Sequence, residues 1–166
     1  MNIATLPPDR QTTHDGFATR FRLNRAGILN VWQYDDQVFT FADGRLLLRG
    51  ANGAGKSKTL EMLLPFALDG DKAKMTASAK QHTSLLWLMN DGYDGQTRQG
   101  YVWVEFLRTD EDGREVAFTC GVGIRANSSG STVTSWHFAT DKRVGVDSPR
   151  GWSRTSQTIA TCRPRT

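Results

Sequence analysis

Gly50-Ala51-Asn52-Gly53-Ala54-Gly55-Lys56-Ser57 is the stretch that decides the fold of this chain. Its first and last glycines enclose four residues, and a lysine and a serine follow directly, which is the pattern of a phosphate-binding loop. Residues 45–49 upstream predict a short buried strand, and residues 56–68 downstream predict a helix. Strand, glycine loop and helix in this order form the setting in which such a loop works.

The residue types of this loop suit a nucleotide phosphate chain. Backbone N–H groups can wrap closely around phosphates only where side chains are absent. A helix that begins at the loop adds the positive end of its dipole. Lys56 is placed to reach the β- and γ-phosphates, and the Ser57 hydroxyl to coordinate Mg²⁺. The sequence therefore predicts nucleotide binding here; the alternative is a glycine-rich turn that happens to carry lysine and serine.

Length and composition indicate one globular unit. The 166 residues include five tryptophans, enough for one core of ordinary size and not for two. We find no apolar run of membrane-spanning length and no signal-peptide pattern, and the two cysteines make neither a disulfide framework nor a metal set. We therefore expect a cytoplasmic protein without membrane association.

The net charge of +4 is concentrated at the end of the chain. Four arginines against one aspartate give residues 147–166 a charge of +3, which leaves +1 for residues 1–146. The basic balance therefore says little about the folded part.

Three segments follow from the patterning. Residues 1–20 lack a packing period and predict a flexible arm. Residues 21–146 carry the periodic elements. Residues 147–166 are rich in Ser, Thr, Arg and Pro, and two interpretations stay open: a disordered tail, or a sequence that has left its native reading frame.

The elements of the middle segment predict an α/β fold with an antiparallel β-meander. Strands are expected at residues 28–32 and 38–41, joined to the loop by a tight turn at residues 42–44. Pro65 should bend or end the helix after the loop. Residues 69–82 read as a loop, and Thr83 and Ser84 can cap a short helix over residues 85–89. The meander strands are expected at residues 101–108, 115–125 and 132–140.

Asn52 distinguishes the loop from generic phosphate loops, and with residues 28–61 it carries a family resemblance. Two antiparallel strands ahead of a loop reading Asn-Gly-Ala-Gly-Lys-Ser resemble the ABC and SMC class of ATPase heads, and MukB-type bacterial condensins in particular. The sequence looks closest to the large SMC-like ATPase subunit of Wadjet-type plasmid-defence systems. The resemblance covers residues 21–71, extends through the meander to residue 146 and leaves out the tail.

The resemblance implies a P-loop NTPase fold of which this chain is the N-terminal lobe of a head, an incomplete domain. It implies partners for the full-length protein: the C-terminal half of the same head type, kleisin-like and accessory subunits, and DNA, on the nucleoid. Such complexes use ATP to drive DNA loop extrusion or plasmid defence. The residues that would bind ATP and Mg²⁺, with Ser57 as the metal ligand, are Gly50, Asn52, Gly53, Ala54, Gly55, Lys56, Ser57 and Lys58.

The chain also departs from that family pattern. No coiled-coil heptads, acidic Walker B strand end or ABC signature loop follow, so no catalytic residue is assigned and no hydrolysis is expected from this chain alone. The alternatives are a stand-alone P-loop kinase or NTPase and an inactive truncated product. Gln96 and Gln99 are candidates for a glutamine that contacts Mg²⁺. Trp32 and Tyr34 could stack on adenine or simply pack, and the three histidines, His14, His82 and His137, suggest no metal site.

Overall fold

The computed structural model describes residues 20–69, 84–130 and 132–146. Their strands are β1 Arg22–Val31, β2 Tyr34–Thr40, β3 Thr97–Thr109, β4 Glu115–Asn127 and β5 Val133–Thr140. These strands form one antiparallel sheet in the order β2-β1-β3-β4-β5. Residues 1–19 of the predicted arm at 1–20, most of the predicted loop at 69–82, and the tail at 147–166 lie outside the described residues.

The two strands ahead of the glycine loop form the predicted hairpin, with longer bounds than the apolar runs alone suggested. β1 also pairs with β3. Ile28 of β1 lies opposite Gln37 of β2 on one side and opposite Val102 of β3 on the other. The meander of β3, β4 and β5 is confirmed. Because β1 pairs with β3, the meander and the hairpin form one sheet.

The buried strand predicted at residues 45–49 is wrong. This segment forms only an isolated bridge between Ala42 and Arg45, and the Leu47 side chain is 72% exposed. Leu46 alone packs partly against the core. The prediction rested on apolar composition, but a buried strand also needs a neighbouring backbone and a covering surface. The two neighbours of β1 are β2 and β3, so this segment has no place beside it.

The helix after the glycine loop is confirmed, and Pro65 changes its hydrogen-bonding rather than ending it. An α-helix, α1 (Lys56–Glu61), continues into a π-helical turn, Met62–Phe66, and then into a short α2 (Ala67–Asp69). Proline has no N–H to donate to the preceding turn. A wider π-type turn is a recognised way for a helix to continue past such an interruption.

The main core lies between one face of the sheet and these helices. The third helix, α3 (Leu85–Asn90), is capped by Ser84, whose Oγ accepts a hydrogen bond of 3.2 Å from the Trp87 N–H. This confirms Ser84 as the predicted cap, and the helix ends at Asn90, with Asp91 as its C-cap residue. None of the described helices is both long and apolar enough to cross a membrane. The buried side chains include Ala26, Ile28, Met62, Leu63, Leu85, Leu88, Met89, Val102, Val104, Val122 and Ile124.

The opposite face of the sheet is packed by aromatic rings that lie over glycines. The Trp103 indole covers Gly27, and the Trp136 indole covers Gly123. Trp103 is only 3% exposed. The glycines of these strands therefore provide flat sites for large rings rather than breaks in the strands.

Candidate phosphate-binding loop

The glycine loop leads directly into α1 through two residues in the left-handed conformation. Gly53 has a φ of 85° and Gly55 a φ of 79°. Gly55 is the N-cap of α1, which begins at Lys56. Residues with a Cβ avoid this region of φ/ψ space, so the backbone path explains why the loop carries glycine at both positions.

Lys56 folds back over the loop from the start of the helix. Its Nζ donates hydrogen bonds of 2.8 Å to the Gly50 carbonyl and 2.7 Å to the Ala51 carbonyl. The ammonium group is therefore held against the first two residues of the loop.

The start of α1 suits an anion. No side chain caps it, and its first turn contains no acidic residue. The first N–H groups of a helix find no acceptor within the helix itself, and they lie at its positive end. Ser57, in this first turn, is exposed, so its hydroxyl is open to solvent.

The remaining predicted loop residues differ in how far they can contribute. Asn52 and Ala54 are exposed, and the Ala54 N–H donates to the Ala51 carbonyl at 3.2 Å, which shapes the turn. Lys58 instead pairs with Glu61 along the helix, with Nζ 2.8 Å from Oε2. Its side chain is therefore engaged with Glu61 on α1.

Trp32 and Tyr34 pack against the loop from the hairpin. The nearest Trp32 ring carbon is 2.8 Å from where a Cβ of Gly55 would be. The Tyr34 hydroxyl lies 2.6 Å from Thr59 Oγ1, which in turn donates to the Gly55 carbonyl at 3.0 Å. These contacts favour packing over base stacking for both rings. The role of Thr59 was missed, although a hydroxyl residue four positions after a helix N-cap can bond back to that cap carbonyl.

The candidate glutamines make contacts elsewhere on the sheet. The Gln96 carbonyl accepts hydrogen bonds from Ser128, and the Gln99 amide donates to the Tyr101 hydroxyl. Neither contact involves the loop. His137 is an exposed residue of β5, and the described ranges contain no group of three or more His, Cys, Asp or Glu residues that could hold a metal ion. Among the described candidates, Ser57 is the one that lies next to the loop, in the first turn of α1.

Arg98 is a buried cation beside this region that sequence reasoning also missed. It is 5% exposed, and its guanidinium lies over the Tyr93 ring, 5.0 Å from the centroid. Burial lowers the pKa of Arg98, and the nearby Tyr93, Asp35 and Asp91 oppose that shift. An arginine that remains buried needs several acceptors, and no pattern in the sequence identifies them.

Together these residues fit a magnesium-bound triphosphate. The loop offers one fixed cation, one exposed hydroxyl, glycine backbone and an uncapped helix start without acidic side chains. Comparison with protein-family models, curated proteins and solved structures finds no match to this chain.

Proposed function

We propose that residues 50–57 bind the phosphates of ATP together with Mg²⁺, in the N-terminal part of an SMC/condensin-like ATPase head. The observation that carries this proposal is the position of Lys56, whose Nζ lies over the first carbonyls of the loop at the start of an uncapped helix. A cation held at the end of a glycine loop and a helix N-terminus together make an anion site.

Each residue of the site has a separate part in this binding. Lys56 neutralises charge on the β- and γ-phosphates, and the Ser57 hydroxyl ligates Mg²⁺. Gly53 and Gly55 keep the backbone close enough for its N–H groups to donate to phosphate oxygens. Bound ATP supplies a transferable phosphoryl group. We assign no residue of this chain to its hydrolysis, because that step also needs a positioned water.

The wider setting of the proposal comes from the resemblance to SMC-like ATPases. The β1–β2 hairpin directly upstream of the loop supports it. In the full-length protein, the partners would be the C-terminal half of the head, kleisin-like and accessory subunits, and DNA. The complex would act in the cytoplasm, on the nucleoid, in DNA loop extrusion or plasmid defence.

Lys56→Ala is expected to weaken Mg·ATP binding 10- to 100-fold or abolish it. The substitution removes a charged hydrogen-bond donor, which contributes about 1.5–3 kcal/mol to such contacts. Calorimetric titration of the wild-type chain and the variant with Mg·ATP measures the change. Lys142→Ala is the matched control, since Lys142 is an exposed residue after β5. Equal affinities for the wild type and Lys56→Ala would show that the loop is not the site.

The isolated chain is expected to hydrolyse ATP no faster than its Lys56→Ala variant. We assign neither a general base nor a signature loop to this chain, and a phosphate-binding loop alone does not activate water. Steady-state phosphate release from both proteins measures this. A clear excess from the wild type would favour the stand-alone kinase or NTPase instead.

A further inference from the structure

The tip of the β1–β2 hairpin packs directly against the glycine loop. We propose that Trp32, held in place by Arg98, is a positioning residue that fixes Gly55 in its phosphate-binding conformation. This inference rests on the proposed function and deepens it. Trp32 would support the loop from outside its glycine-lysine-serine pattern.

The first step is the contact between Trp32 and Gly55. Cη2 and Cζ3 of the indole lie 2.8 and 2.9 Å from the place where a Cβ of Gly55 would stand. The ring therefore occupies the space that a side chain would need. Gly55 is the residue from which the chain turns into α1, so the ring supports the point that directs the first helical N–H groups.

A second support reaches Gly55 through its carbonyl. Thr59 Oγ1 donates to that carbonyl at 3.0 Å and lies 2.6 Å from the Tyr34 hydroxyl. The Tyr34 ring also meets the Trp32 ring edge to face, with centroids 6.2 Å apart. The two aromatic residues of the hairpin thus act on the same glycine by separate routes.

Arg98 fixes the backbone of Trp32. Its Nη2 donates to the Trp32 carbonyl at 2.7 Å, its Nε to Asn30 Oδ1 at 3.1 Å and its Nη1 to the Met89 carbonyl at 3.2 Å. The Trp32 N–H donates to the Leu88 carbonyl at 3.0 Å. The hairpin tip is therefore bound to β3 and to the end of α3.

The backbone of the tip is in a conformation that these contacts must maintain. Trp32 has a φ of 54° and Asn30 a φ of 52°, a region that non-glycine residues disfavour. Within the described residues, the buried Trp32 Nε1 has no hydrogen-bond partner. Backbone conformations with positive φ, such as those of Asn30 and Trp32, persist where surrounding contacts determine them, and they concentrate at functional sites. The indole ring of Trp32, held in this way, supports Gly55. A smaller aromatic ring would fill the space beside Gly55 poorly.

Trp32→Phe in the full chain tests the inference. A phenyl ring is too short to fill the space beside Gly55, so we expect the affinity for Mg·ATP to fall about tenfold. Because the ring acts through the loop, the affinity for inorganic triphosphate with Mg²⁺ should fall by the same factor. The control is Trp87→Phe, which changes a tryptophan that is 45% exposed on α3 and should leave both affinities within twofold. Arg98→Lys keeps the charge but not the three directed hydrogen bonds. It should lower the affinity for both ligands by a factor similar to that of Trp32→Phe.

Each outcome decides the inference. Calorimetry is run well below the melting temperature of each variant, so that lost stability does not count as lost affinity. Unchanged affinities in Trp32→Phe would overturn the positioning role and leave the proposed function intact. A loss for ATP without a loss for triphosphate would mean that the ring contacts the base, which also overturns it. No binding by the wild type would overturn the proposed function, and this inference with it. If Trp32→Phe does not fold, Arg98→Lys with unchanged affinities is the overturning result.

Discussion

Glu105→Ala is expected to lower the free energy of unfolding by about 3 kcal/mol, because Arg25, whose side chain is only 16% exposed, loses its carboxylate partner. Glu105 is fully buried, at 0% exposure, on β3. Its Oε1 accepts hydrogen bonds from Asn24 Nδ2 at 2.7 Å and Arg25 Nε at 2.9 Å, and its Oε2 pairs with Arg25 Nη2. Arg143 Nε lies 3.6 Å away as a further positive group. Without the carboxylate, these donors would lose their acceptor at a site that water reaches poorly.

Urea unfolding of the wild type and Glu105→Ala measures this loss. Glu115→Ala is the matched control on the neighbouring strand β4. The Glu115 carboxylate also meets Arg143, at 3.2 Å, but its side chain is 62% exposed. Exposed pairs contribute about 0–1 kcal/mol, so the control should change little. Losses of similar size in the two variants would contradict the assignment of Glu105 as the centre of a buried ionic cluster.

Gly121→Ala is expected to destabilise the fold by about 3 kcal/mol, at the upper end of the range for overpacking. A Cβ at Gly121 would lie 2.3 Å from the Val102 carbonyl oxygen and 2.8 Å from both the Phe138 ring and the Trp103 Cα. Two of these neighbours are backbone atoms of β3. Since β4 lies between β3 and β5, relief requires the strands themselves to move.

The same unfolding measurement tests this glycine. Gly130→Ala is the control, because its Cβ would approach nothing closer than the Asn127 Cβ at 3.4 Å. Its effect should stay within about 0.5 kcal/mol, as for surface positions generally. If Gly121→Ala were as stable as Gly130→Ala, the close packing of β4 against β3 would be wrong.

Local patterns in the sequence were sufficient to predict most elements of this fold. The three meander strands and the helix after the glycine loop follow from period-two alternation, turn residues and an apolar stripe. The loop itself is a contiguous motif, so its residues could be named without a structure. The strand predicted at residues 45–49 failed because burial depends on a partner surface that composition does not report.

The supports of the candidate site depend on contacts between residues far apart in the chain. Arg98 and Trp32 are separated by 66 positions, and neither belongs to a pattern that would join them. A tryptophan in a hairpin is compatible with stacking on a base, with core packing or with exposure. Only the fold shows that its ring fills the space beside Gly55. Likewise, Gly27 is a strand residue whose purpose becomes visible only with the Trp103 ring over it.

The most direct test of the central claim is a titration of the ¹⁵N-labelled chain with Mg·ATP, followed through its backbone amide chemical shifts. If residues 50–57 hold the phosphates, the amides of Gly53, Gly55, Lys56 and Ser57 should show the largest shifts. These shifts should saturate with the calorimetric Kd and disappear in Lys56→Ala. Amides of the loop that stay unmoved at saturating Mg·ATP, or saturable shifts confined to another part of the chain, would contradict the account.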